Sequence, residues 1–169
     1  MGAEYNCGIL TMSDKGSRGE REDTSGKNLQ EIMKAAGFKI GSYQIIPDNK
    51  EIISTTLKNW ADVRGLDLII TTGGTGVSPD DVTPEATAQV IDRELPGIAE
   101  AMRRASFKIT PHAILSRAIC GIRGNCLIIN LPGSKKASQE NITVVLDALP
   151  HAIYKIKGGM ADCGALTKK

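Results

Sequence analysis

Three short apolar runs, at residues 7–12, 66–72 and 126–131, and a strand candidate at 38–46 with β-branched and aromatic residues each stop at a cluster of Gly, Pro, Ser, Asp or Asn. Apolar runs of this length bounded by turn residues read as buried strands, with 66–72 expected to be the most buried. Helical spacing fills the gaps. Leu29, Ile32, Met33 and Ala36 mark a helix over about 25–36 that Gly37 closes, and Ile52, Ile53, Leu57 and Trp60 share a second helical face. Thr83-Pro84-Glu85 combines a cap, a first-turn proline and a first-turn acid, which predicts a helix from there to about Arg93. Pro96 opens another, with Ile98, Met102 and Phe107 on its inner face, and 108–125 reads as irregular. A last helix is expected over about 138–149, with Pro150 as a candidate break before it runs on to Lys157. Strands alternating with helices give a parallel, doubly wound α/β sheet with helices on both faces.

The chain has 169 residues, a length that favours one globular domain, with 158–169 expected to be a mobile tail. Lys plus Arg number 21 against 19 Asp plus Glu, a net charge of +2 that is too even for nucleic-acid binding through bulk charge. No run approaches the roughly 18 apolar residues of a membrane span, and the first residues form no signal peptide, so the expectation is a cytoplasmic protein. Cys7, Cys120, Cys126 and Cys163 are widely spaced with no C-x-x-C, which points to reduced, mostly buried thiols rather than zinc or disulfides.

In a doubly wound sheet, ligands sit outside the carboxyl ends of the strands, so the loops there carry the chemistry. Ser13-Asp14 follows the first strand, and Gly73-Gly74-Thr75-Gly76 follows the third. The glycine loop lets backbone N–H groups approach a flat or anionic ligand closely, although a tight turn alone would need the same residues. Asn130-Leu131-Pro132-Gly133-Ser134 repeats the pattern at the last strand, where Lys135 or Lys136 could reach a phosphate. Asp48 ends the second strand and Asp81 follows the glycine loop, which sets both carboxylates on one sheet edge. One or two carboxylates plus substrate phosphates is how Mg²⁺ is usually held; a turn residue and a helix-start residue are the plain alternative. Ser116-Arg117, with Arg123 behind, offers a hydroxyl and two guanidinium groups suited to phosphate, or else a solvated surface pair. Arg103-Arg104 reads as a helix face, and His112 and His151 as ordinary residues.

Four segments in register carry a resemblance: Thr71-Thr72-Gly73-Gly74-Thr75-Gly76, Asp81-Val82-Thr83-Pro84-Glu85-Ala86-Thr87, Leu115-Ser116-Arg117-Ala118 and Ile129-Asn130-Leu131-Pro132-Gly133. Together they resemble the MogA/MoaB family of molybdenum cofactor biosynthesis proteins, which includes the gephyrin G domain, over about residues 5–157. The resemblance implies a three-layer α/β/α fold with a mostly parallel sheet, usually trimeric. It also implies a molybdopterin adenylyltransferase that transfers AMP from Mg-ATP to the terminal phosphate of molybdopterin, with a partner insertase adding the metal afterwards. On that basis Asp48 and Asp81 are the catalytic, Mg²⁺-holding pair. Ser116, Arg117 and Gly133 meet molybdopterin, and Ser13, Asp14, Gly73, Gly74, Thr75 and Gly76 line the nucleotide pocket.

The resemblance has departures. Asp80 stands where many active members carry a basic residue, and Lys135-Lys136 stand where a proline is frequent. Glu22-Asp23-Thr24-Ser25-Gly26 is similar to the MoaB branch, whose bacterial members are not all shown to be adenylyltransferases, whereas the segment from Gly74-Thr75-Gly76 to Asp81-Val82-Thr83-Pro84 and Gly121-Ile122-Arg123-Gly124 resemble the active type. The alternative is therefore a molybdopterin-binding carrier or scaffold without adenylyl transfer.

Overall fold

The computed structural model describes residues 4–160. Its six strands form one sheet in the order β2-β1-β3-β6-β5-β4: β1 (Asn6–Met12), β2 (Lys39–Ile46), β3 (Leu68–Thr72), β4 (Arg93–Glu94), β5 (Cys120–Arg123) and β6 (Cys126–Leu131). β1 pairs in parallel with β2 and β3, and β3 with β6; β5 and β4 complete the sheet antiparallel. The chain leaves β1 for β2 on one side, then crosses back to β3 on the other. The connections therefore diverge at the carboxyl ends of β1 and β3, where a doubly wound sheet opens a crevice.

Alternation along the central strands divides the core into two layers. Ile9, Leu68, Ile70, Leu127 and Ile129 face a cluster closed by Leu29, Met33, Met102, Ile142 and Ile153. Those five come from α2 (Thr24–Ala35), α5 (Pro96–Phe107), α6 (Lys135–Val145) and α7 (Leu149–Ile156). Leu10, Ile69 and Ile128 point the other way, onto Ile53, Leu57, Trp60 and Ala86. That second layer is built by α3 (Lys50–Lys58) and α4 (Thr83–Ala88), with Trp60 carried on the π-helical turn Asn59–Val63 that extends α3. The three-layer α/β/α architecture follows from strands apolar on both faces.

Several expectations change in the structure. The helix that starts at Thr83 ends at Ala88 rather than near Arg93, because the chain is drawn into the sheet edge. Asp92 and Leu95 donate backbone N–H groups to the carbonyls of Ile122 and Cys120. Their partner strand β5 lies inside the stretch read as irregular. Gly121 permits the pairing, since a Cβ there would stand 2.8 Å from the Arg93 carbonyl oxygen and 2.5 Å from Ile91. Phe107 is 53% exposed instead of inward-facing. It follows Met102 by five residues, about 140° round the helix. The last helix starts three residues early, at Lys135, because Ser134 caps it by accepting the Ala137 N–H at 3.1 Å. Pro150 sits in the first turn of α7 and starts that helix rather than breaking one.

Cys7, Cys120 and Cys126 are free and buried, and burial pushes the Cys120 and Cys126 thiols up to about 12, which keeps them unreactive. Cys163 and most of the tail at 158–169 lie outside the described residues. No helix among the described residues is long and apolar enough to cross a membrane.

Candidate active site

Four loops meet at the carboxyl ends of β1, β2, β3 and β6. After β1, Ser13 caps the short helix α1 (Asp14–Ser17) by accepting the Gly16 N–H at 3.0 Å. Asp14 then accepts the backbone N–H of Asp48 at 3.0 Å while Asp48 accepts that of Asp14 at 3.1 Å, so the loops after β1 and β2 are stapled together.

The glycine loop is wedged between strand ends. Gly73 has φ +105°, and a Cβ on it would stand 2.5 Å from the Met12 carbonyl oxygen. It donates its N–H to Leu131 at 3.1 Å, and its carbonyl accepts the Thr83 hydroxyl at 2.9 Å, while Thr83 N–H binds the Gly74 carbonyl at 3.1 Å. On the β6 side, Thr72 donates to the Pro132 carbonyl and Ser25 to the Gly133 carbonyl, both at 2.7 Å. Only glycine fits at Gly73, and the loop that results has no slack.

The two predicted carboxylates converge on this loop. A Cβ on Gly74 would lie 3.2 Å from Asp48 Oδ1, and one on Gly76 would lie 2.8 Å from Asp81 Oδ2. Each carboxylate has one oxygen fixed by backbone: Oδ2 of Asp48 by the Asp14 N–H, and Oδ2 of Asp81 by the Ser78 N–H at 2.9 Å. The Oδ1 atoms of both have no hydrogen-bond partner among the described residues. Burial raises the Asp48 carboxyl above its ordinary range; the Asp14 N–H opposes this, and the negative charges of Asp14, Asp81 and Asp80 add to it. Among the described residues no three His, Cys, Asp or Glu side chains form a ready-made metal cage.

Two cavities open here, of about 410 Å³ and 530 Å³, sizes suited to small-molecule ligands. They meet at Gly74, Asp81 and Gly133. Of the predicted residues, Ser13, Asp48 and Gly73 line the first, whereas Thr75, Gly76 and Ser116 line the second. Asp14 lines neither and acts on the first through Asp48.

Arg117 also lines neither cavity. Its Nε donates to the Gly76 carbonyl at 2.6 Å, its Nη2 to the Asp81 carbonyl, and its Nη1 forms an ion pair with Glu85. The guanidinium thus spans the loop from Gly76 to the start of α4. Arg123 lies elsewhere, paired with Asp62 at 2.6 Å and donating to the Val90 carbonyl at 2.8 Å. That contact joins the π-helical turn to the segment after α4 and gives Arg123 no part in the site. Lys135 and Lys136 line neither cavity.

Some site residues carried too little local signal. Arg103, read as a helix face, lines the second cavity and donates to the Ala118 carbonyl at 2.7 Å, which holds the Ser116 segment in place. His112 lines the same cavity. Asn130 is fully buried in β6 and donates to the hydroxyls of Thr71 (3.0 Å) and Thr87 (2.9 Å) while accepting the Ile119 N–H at 3.3 Å. One amide therefore ties β3, α4 and the Ser116 segment together. Asp23 caps α2 and accepts from Thr11 (2.6 Å), Tyr43 (2.7 Å) and the Gly26 N–H (2.8 Å) at the wall of the first cavity. Its Tyr43 partner comes from β2, which no local pattern around Asp23 announces.

Residues 8–151 match the family model described as a probable molybdopterin binding domain. The chain is 42% identical over 155 residues to a molybdopterin adenylyltransferase of Helicobacter pylori J99, covering 90% of this chain and 88% of that one. It is 44% identical over 153 residues to the molybdenum cofactor synthesis protein cinnamon of Drosophila melanogaster, where the match covers 88% of this chain but spans only 25% of that much longer protein. Among solved structures, the molybdopterin biosynthesis enzyme MoaB of Thermus thermophilus superposes with a TM-score of 0.86 at 49% identity, covering 91% of this chain and 97% of that one. With its site at the divergence of β1 and β3 and the family match running through all four loops that build it, the chain belongs to the molybdopterin-binding domain family of molybdenum cofactor biosynthesis proteins.

Proposed function

We propose that the chain is a molybdopterin adenylyltransferase. The observation that carries this reading is the matched state of Asp48 and Asp81: each has Oδ2 held by a backbone N–H and Oδ1 free, at the rim of the glycine loop. Hard carboxylate oxygens fixed in this way fit Mg²⁺, which usually completes its shell with water and substrate phosphates. Asp48 and Asp81 would hold the ion, and when bound it neutralises the charge of the triphosphate and of the departing pyrophosphate.

The nucleotide occupies the first cavity and molybdopterin the second, with Ser116 hydrogen-bonding the latter, which moves Thr75 and Gly76 from the expected nucleotide set to the molybdopterin side. The reacting groups meet at Gly74, Asp81 and Gly133, where the cavities join. A terminal phosphate oxygen of molybdopterin forms a bond to the α-phosphorus of ATP as the bond from that phosphorus to the bridging oxygen breaks. The electron pair leaves with pyrophosphate. The protein's task is to position two anions and offset their charge, through the rigid glycine loop and the two fixed carboxylates.

The crowding of Asp48 by Asp14, Asp80 and Asp81 favours a second reading, a binder that captures molybdopterin without turnover, because uncompensated carboxylates repel a triphosphate. Incubation of the purified chain with molybdopterin, ATP and Mg²⁺, beside a metal-free control, separates the two. Adenylylated molybdopterin and pyrophosphate that require the metal support the enzyme. Tight molybdopterin binding without product supports the carrier. The assembly proposed for the chain is a homotrimer in the cytoplasm that hands its product to a molybdenum insertase; a monomer on light scattering would sink the trimer.

A further inference from the structure

The two acidic residues adjacent to Arg21 in the loop between α1 and α2 each have their own counterion. Glu20 pairs with Arg18 at 2.8 Å and Glu22 with Lys27 at 2.7 Å. Arg21, between them, forms no hydrogen bond or ion pair among the described residues. It lines the first cavity, and it is the only cation among the described residues that does so.

The same wall carries five carboxylates, those of Glu22, Asp23, Asp48, Asp80 and Asp81. Lys27 offsets Glu22, and Asp23 is taken up by Thr11, Tyr43 and the Gly26 N–H. Asp48, Asp80 and Asp81 have no cationic partner among the described residues. A polyphosphate entering this cavity meets net negative charge, and a divalent ion on Asp48 and Asp81 relieves only part of it. The remaining positive charge available from the wall is a guanidinium, whose planar fork suits two phosphate oxygens at once.

The position of Arg21 narrows its target. The cavities join at Gly74, Asp81 and Gly133, where the α-phosphorus reacts, and Arg21 is not part of that junction. A cation away from the reacting phosphorus serves the phosphates that leave rather than the one transferred. We infer that Arg21 is the ligand of the pyrophosphate end of the nucleotide, supplied by the loop between α1 and α2. This assignment rests on the reading that the first cavity takes Mg-ATP. It identifies the group that makes the site select a triphosphate over a monophosphate.

The test is calorimetric titration of the full chain, as wild type, Arg21→Ala and Arg21→Lys, with inorganic pyrophosphate, Mg-ATP and AMP. Arg21 makes no hydrogen bond or ion pair among the described residues, so the variants keep the fold, which circular dichroism verifies. Arg21→Ala is expected to weaken pyrophosphate and Mg-ATP about tenfold while AMP stays within about twofold, and Arg21→Lys to recover part of the loss. Unchanged pyrophosphate and Mg-ATP affinity in Arg21→Ala overturns the assignment, as does an equal loss for AMP. An Asp81→Asn control distinguishes the two levels. If it loses Mg-ATP while Arg21→Ala does not, only the role of Arg21 fails. If the wild type binds neither Mg-ATP nor pyrophosphate, the nucleotide reading fails with it.

Discussion

Asp14 and Asp48, 34 residues apart, each accept the other's backbone N–H in a side-chain carboxylate, at 3.0 and 3.1 Å. Two like charges are thereby held side by side, and the reciprocal bonds set the orientation of Asp48 Oδ1 toward Gly74. The arrangement separates two functions of Asp14, an acceptor that positions Asp48 and a charge that repels it. Asp14→Asn keeps an acceptor and removes the charge, whereas Asp14→Ala removes both. The Mg²⁺ concentration for half-maximal turnover is expected to rise about fivefold in Asp14→Ala and to change less in Asp14→Asn, about 1 kcal/mol for the larger effect. A metal titration of both variants checks this, and equal shifts would show that the acceptor is irrelevant.

Asp81→Asn is expected to abolish adenylyl transfer and to leave molybdopterin affinity within about tenfold, roughly 1.4 kcal/mol. The Ser78 N–H still finds an oxygen acceptor in the variant, so the loop keeps its shape. A variant with the wild-type rate would remove Asp81 from the mechanism.

Each of the three guanidinium nitrogens of Arg117 donates to a protein group, namely the carbonyls of Gly76 and Asp81 and the carboxylate of Glu85. Arg117→Ala is expected to cost about 2 kcal/mol of stability, because charge-assisted bonds to backbone are lost and the half-exposed site refills with water. That corresponds to a drop in Tm of roughly 4–8 °C for a chain of this size. Turnover should fall further than molybdopterin affinity, since the loop that carries Asp81 loses its clamp. Arg117→Lys should rescue poorly, as one ammonium cannot reach three acceptors in different directions. Differential scanning calorimetry beside a binding titration measures both effects. A loss of molybdopterin affinity with unchanged Tm would make Arg117 a ligand instead.

Replacing Asn130 by Leu leaves the Ile119 N–H and two threonine hydroxyls without their partner in a fully buried setting. About 3 kcal/mol of destabilisation is expected in urea unfolding, with the slope unchanged. A change below about 1 kcal/mol would mean that the neighbouring hydroxyls re-pair locally.

The sequence by itself determined the elements whose signal is local. The apolar runs and the β-branched stretch ending in turn residues placed β1, β2, β3 and β6, and with them the sheet edge where Ser13, Asp48, Gly73 and Gly133 stand; β1, β3 and β6 are buried on both faces and so show no polar alternation, whereas β2 is a largely exposed edge strand. The helix starts at Thr83 and Pro96 followed from first-turn prolines and α2 from the spacing of Leu29, Ile32 and Met33, but Thr83, read as a cap, is the first helical residue and spends its hydroxyl on the Gly73 carbonyl. Pairing across the fold was decided only by tertiary structure. β4 has just two residues and exists because Cys120–Arg123 lies beside it, and Arg117 and Arg123, six residues apart, clamp different segments, Arg117 the glycine loop through Glu85 and Arg123 the π-helical turn through Asp62. A guanidinium in sequence is only a cation. Which acceptors surround it, as with the bound Arg117 and the unpaired Arg21, depends on chain segments brought together by packing, and no local pattern encodes that proximity.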